Sequence, residues 1–203
     1  MSVIEAMNRV YAQFASAGVT RADIVQLAGV LGTVRCPGGP SIPFSIGRKD
    51  SDTLDKASLL PGDTEPAPVL IARFERMGFS ASELIALIGS HTSAKKFTQN
   101  PRAQLVDQTG ISLDSTPEVW DVTYYGEIHN KPGAEDTHLV SDVNLANYKD
   151  TSGEFAHFVN NQNDWNNKFS AAMVKMANLG YHESSLTRCP IVPAATPLPG
   201  SRN

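Results

Sequence analysis

Three boxes, Thr20 with Asp23, Ser80 with Glu83 and Thr151 with Glu154, each stand just ahead of an apolar run. In such a box the hydroxyl accepts a hydrogen bond from the backbone N–H three residues on. The carboxylate in turn accepts one from the backbone N–H of the first residue, so the chain is set to enter a helix there. The runs agree with the boxes. Ile24, Val25, Leu27 and Ala28 follow the first, and LIALIG, stopping at Gly89, follows the second. Phe155, Phe158, Val159, Phe169, Met173 and Met176 follow the third, with Gly180 as the close. Residues 3–16 put Ile4, Met7, Tyr11 and Phe14 at helical spacing. PAPVLIARFERMG (66–78) reads as a helix ending at a glycine, and Thr116 to Ile128 as another with Pro117 in its first turn. Between these, CPGGPSIPF (36–44) is loop, because Pro and Gly interrupt regular structure. The stretch from Thr92 to Leu113 is polar and weakly patterned, and PIVPAATPLPGSRN reads as an irregular, exposed tail. Strand signals are few and no repeat is visible. The fold class is mainly α.

A chain of 203 residues is long enough for one sizeable core, and composition is that of a globular protein. The net charge of −4 comes without a basic cluster, which argues against nucleic acid as a partner. No apolar run approaches the ~20 residues of a membrane-crossing helix. The opening MSVIEAMNRVYAQF contains Glu5 and lacks the long apolar stretch of a secretory leader, so no signal peptide is read here. Two cysteines, Cys36 and Cys189, are too few for a disulfide scaffold. They read either as two buried thiols or as one bridge holding the C-terminus.

Of the histidines His91, His129, His138, His157 and His182, no two have the spacing of a zinc helix motif. His91 stands apart by its position. It follows an apolar helix ending in Gly89-Ser90 and precedes Thr-Ser-Ala, small residues that leave room for a bulky group.

That segment, LIALIGSHTSAKKF, resembles the proximal-histidine segment of the plant, fungal and bacterial haem peroxidase superfamily. ADIVQLAGVLGTVRCPGGPSIPFSIGRKDS, LDSTPEVWDVTYY, LVSDVNLA and FVNNQNDWNNKFSAAMVKMANLGY continue the likeness in the same order. The wording is most similar to the secreted fungal branch, the class II or ligninase type, over nearly the whole chain.

The resemblance implies roles. His91 would be the axial ligand of haem b iron, and Asp142 the carboxylate that accepts the hydrogen bond of its other ring nitrogen. A carboxylate partner gives the imidazole imidazolate character, which separates peroxidase from globin chemistry. Thr92, Asp114, Thr116, Asp121 and the carbonyl of Val119 would hold one proximal Ca²⁺, a set of oxygen donors suited to a hard cation. Read without the resemblance, DSTP is an N-cap ahead of Pro117. Leu113 falls on the proximal haem face, where relatives carry an aromatic residue. Phe97 stands where manganese-oxidising members have an acidic ligand, and Ala86 where ligninolytic members have a surface tryptophan. Trp120 and Trp165 read as packing residues.

The family splits peroxide with an arginine followed four residues later by a histidine, and no Arg in this sequence stands four before a His. The expectation is therefore a helical haem-peroxidase fold lacking its N-terminal distal helices and the distal calcium. Residues 1–190 would form one domain, with 1–60 the remnant of a distal lobe and 61–190 the proximal lobe, and 191–203 a tail. The family partners of Cys36 and Cys189 would lie in the absent segment. The implied activity is oxidation of small phenolic or aromatic donors by hydrogen peroxide, in a family that is secreted. The alternative is a peroxidase-like protein that binds haem or Ca²⁺ without efficient turnover.

Overall fold

The computed structural model describes residues 3–53, 60–96, 110–130, 137–190 and 192–197. Eight α-helices are present among them: α1 (Val3–Phe14), α2 (Arg21–Arg35), α3 (Ala67–Arg76), α4 (Ala81–Ile88), α5 (Thr123–Asn130), α6 (Val140–Asn147), α7 (Ser152–Phe158) and α8 (Gln162–Ala177). Two-residue strands add little. β1 (Ser45–Ile46) pairs antiparallel with β4 (Thr187–Arg188), and β2 (Lys95–Lys96) with β3 (Ile111–Ser112). None of the described helices is long and apolar enough to cross a membrane.

The first two capping boxes form as read. Thr20 Oγ1 accepts from Asp23 N–H, and the Asp23 carboxylate accepts from Thr20 N–H. Ser80 and Glu83 do the same at α4. Gly78 ends the turn after α3 with φ of 88°, a left-handed conformation that costs glycine little. The third box does not form. Thr151 turns its hydroxyl back onto Leu145 O at 2.6 Å, and Glu154 bonds Ser82 and Lys168 instead.

The stretch read as helix from Thr116 is turn and bend until Thr123. Its polar side chains are used across the loop: Asp114 accepts from Thr116 N–H, and Asp121 from Thr116 Oγ1 and Thr123 N–H. The LVSDVNLA segment is helix α6, which its weak apolar period concealed.

Helix α4 lies at the centre. Leu84, Ile85, Ala86, Leu87 and Ile88 are all buried, and α8 packs along it, with Lys175 paired to Glu83 at 2.8 Å. Trp165 on α8 stacks on Trp120 (centroids 5.0 Å, 7° between planes), which supports the packing reading of both. Helix α1 buries none of its residues and rests on α2. In the tail, residues 192–197 have no regular structure, yet Thr196 bonds Val34 O and accepts from Gly38 N–H. That stretch is tied to α2 rather than free. Neither Cys36 nor Cys189 is in a disulfide, and both are half-buried.

Candidate active site

His91 sits on a 3-10 turn, Gly89–Ser93, that continues directly from α4. The end of a helix leaves carbonyls without intrahelical partners. Here two aromatic side chains supply them: Tyr125 OH donates to Ile85 O at 2.6 Å, and Trp165 Nε1 donates to Ala86 O at 2.9 Å. Both approach so closely that a Cβ at position 89 would collide with the Tyr125 hydroxyl and the Trp165 indole. Gly89 is thus a close-approach residue rather than a left-handed cap. The backbone that carries His91 is clamped from two sides.

The His91 ring is oriented by Asp142, in the first turn of α6. Nδ1 lies 2.6 Å from Asp142 Oδ2. A carboxylate oxygen accepts, so Nδ1 is the donor in this contact and Nε2 is the ring nitrogen left to meet a ligand. Asp142 is almost wholly buried and receives two further donors, Tyr124 OH to Oδ2 at 2.6 Å and Ser141 Oγ to Oδ1 at 3.1 Å. Burial, and next the charge of Asp142, push the Tyr124 phenol well above its ordinary range. Burial does the same for Tyr125, with Asp142 and Glu154 adding to it.

His91, Ser90 and Asp142 line a cavity of about 330 Å³, whose other walls include Leu87, Ile88, Leu145, Met173 and Met176. A histidine with a free Nε2 beside a mostly apolar cavity is the chemistry that a planar apolar ligand with a central metal requires. These residues fit haem. Leu113 is buried, with its N–H bonded to Ala94 O, but it does not line this cavity. Ala86 is wholly buried, so its position is not at the surface of this chain. Phe97 lies outside the described residues.

Next to His91, the wholly buried Thr92 begins a second constellation. Its Oγ1 donates to Asp114 Oδ2 at 2.6 Å and stands 3.5 Å from Val119 O. Thr116 Oγ1 donates to Asp121 Oδ1 at 3.2 Å. Burial raises the Asp114 carboxyl above its usual range. Hydrogen bonds from Thr92 and Thr116 oppose that, while the charges of Asp121 and Glu127 add to it. No described Lys, Arg or His pairs with Asp114 or Asp121. Among the described residues no cluster of three His, Cys, Asp or Glu side chains is placed to hold a metal. The oxygens gathered here are two carboxylates, two hydroxyls and a carbonyl, with negative charge that a hard cation would neutralise. The five residues named from the sequence come together, and they fit Ca²⁺.

The family model described as peroxidase matches residues 1–161. The chain belongs to the peroxidase family. Manganese peroxidase 3 of Phlebia radiata is 34% identical over 84% of this chain and 51% of its own length. The low-redox potential peroxidase of Taiwanofungus camphoratus is 30% identical over 88% and 57%. Versatile peroxidase VPS1 of Pleurotus eryngii is 28% identical over 84% and 49%. This peroxidase-family chain is therefore a member of the haem peroxidase superfamily, on the side of the secreted fungal class II proteins. It spans about half the length of the curated relatives it matches.

Sequence reasoning missed Tyr124 and Ser141 as partners of Asp142. Ser141 is adjacent and could have been suspected. Tyr124 lies in the TYY run of another helix, and nothing local marks it. His138 was also passed over. It is buried against the Tyr124 ring (centroids 5.4 Å), with Thr137 Oγ1 2.8 Å from Nδ1 and Glu127 Oε2 3.5 Å from Nε2.

Proposed function

We propose that this chain is a haem-dependent peroxidase that oxidises small phenolic or other aromatic donors with hydrogen peroxide. The observation that carries the reading is the 2.6 Å contact between His91 Nδ1 and Asp142 at the wall of an apolar cavity. In this reading His91 binds the iron of haem b through Nε2, and Asp142 holds the Nδ1 proton. Leu87, Ile88, Leu145, Met173 and Met176 exclude water from the bound group. The haem supplies the redox chemistry, and the protein supplies ligand, orientation and electrostatics.

Thr92, Asp114, Thr116, Val119 and Asp121 hold one Ca²⁺. With Ca²⁺ bound, these side chains would join the residue beside His91 to the loop before α5 and so keep the ligand turn in place. Leu113 packs behind the proximal side. Residues 1–190 act as one domain, 1–60 being the counterpart of part of a distal lobe, and the protein works outside the cell as its secreted family does. With Phe97 where manganese-oxidising members have an acidic ligand, donors are organic rather than Mn²⁺.

A second reading is a haem- or calcium-binding protein without efficient turnover. It is favoured by the lack of any Arg-x-x-x-His in this sequence. General acid–base catalysis is worth roughly 10²–10⁴-fold and one charge-stabilising donor on the order of 10²–10³-fold. The two readings separate on peroxide-dependent oxidation of a small phenol by the haem-loaded chain. Turnover above that of free haem, lost in His91→Ala, supports the enzyme. Turnover equal to free haem overturns it in favour of the binding protein.

A further inference from the structure

Asp142 Oδ2 is shared. It lies 2.6 Å from His91 Nδ1 and 2.6 Å from Tyr124 OH, both donors. Two short hydrogen bonds to one carboxylate oxygen draw on the same electron density. Each bond therefore weakens the other. Tyr124 is wholly buried, its ring edge-on to the imidazole (centroids 5.8 Å, 85°) and packed against Tyr125 and His138. Its hydroxyl donates to Asp142 Oδ2 from a fully enclosed position.

We propose that Tyr124 is a positioning residue that tunes His91: by donating to Asp142 Oδ2 it limits how far that carboxylate draws the Nδ1 proton, and so limits the basicity of Nε2. The consequence for iron rests on the proposed role of His91. The competition for Asp142 involves protein groups alone. A purely bracing role for Tyr124 predicts the opposite sign, because removing a brace frees Asp142 to move away and weakens its bond to His91.

The test is the ¹H resonance of the His91 Nδ1 proton in the haem-free full chain, labelled with ¹⁵N-histidine and assigned by its loss in His91→Gln. Tyr124→Phe keeps the ring and removes only the hydroxyl. The resonance is expected to move downfield as the His91–Asp142 bond strengthens. An upfield shift or none overturns the proposal. Should that variant fold poorly, 3-fluorotyrosine placed at position 124 keeps ring and hydroxyl and makes a stronger donor. It is expected to move the resonance upfield, and a downfield shift or none overturns the proposal. In the haem-loaded chain, Tyr124→Phe lowers the Fe(III)/Fe(II) potential and raises the ferrous iron–histidine stretching frequency. Changes of the opposite sign count against tuning. Failure to take up haem at all contradicts the proposed function, while the haem-free measurement still decides the role of Tyr124.

Discussion

Gly89 lies on the turn that carries His91, and it does there what no larger residue could do. At Gly89, a methyl group would run into Tyr125 and Trp165, whose donors satisfy the last carbonyls of α4. Gly89→Ala is therefore expected to lower stability by about 1–3 kcal/mol, the usual cost of forcing atoms into a packed site. Urea unfolding measures it, and an unchanged midpoint would mean the clamp gives way. At the same scale, His91, Asp142 and the Thr92–Asp121 set were readable because short motifs carry them. The Tyr124–Asp142 bond was not, since it joins residues 18 apart on different helices. Gly89 was read as a stop signal. Its true reason lies in two side chains that only the fold brings to it.

Among the elements, the α2 entry is the most heavily bonded. Asp23 serves its own capping box and also accepts from Gly47 N–H, Arg48 N–H and the Arg48 guanidinium at 2.9 Å. Arg48 in turn reaches Ala177 O and Asn178 beyond α8. Both side chains are buried. Burial by itself would raise the Asp23 carboxyl, but the bonds from Gly47, Arg48 and Thr20 outweigh it and hold the group below its usual range. A carboxyl lowered in the folded state stabilises it above the unfolded value of about 3.9. That contribution fades as the pH falls through the folded value.

Asp23→Asn leaves Arg48 buried without its charge partner and is expected to cost about 3–5 kcal/mol at neutral pH. The variant should also lose less on acidification below pH ~4. Urea titrations from pH 7 to pH 3 check both, and parallel curves for the two proteins would contradict the assignment. Local chemistry made the boxes at Thr20 and Ser80 legible. The box at Thr151 misled, because its Thr and Glu have stronger partners elsewhere in the fold. The turn at 116–122 misled for a related reason. Its hydroxyls and carboxylates bond one another across a loop, and that outcompetes helix formation.

For the molecule as a whole, helical class and family were legible, whereas the cavity was not. Its walls come from α3, α4, α6, α8 and the loop near Pro61, and no sequence pattern states which faces meet. The calcium reading also has its consequence at this scale, since the ion would link the α4 turn to the loop leading into α5. Calcium at 100 times its dissociation constant adds about 2.7 kcal/mol. For a chain of this size that is roughly 5–10 °C in Tm. Calorimetry with calcium or a chelator reads the shift, which should vanish in Thr92→Val. Equal Tm values for the native chain in both conditions would contradict a calcium site.

The central claim is that His91, oriented by Asp142, is a metal ligand presented to an apolar cavity. Titration of the purified chain with haemin, followed at the Soret band, tests it most directly. A saturable band of a histidine-ligated haem is expected, lost or shifted in His91→Ala. A Soret band of unchanged position and intensity in that variant, or no uptake by the native chain, would contradict it.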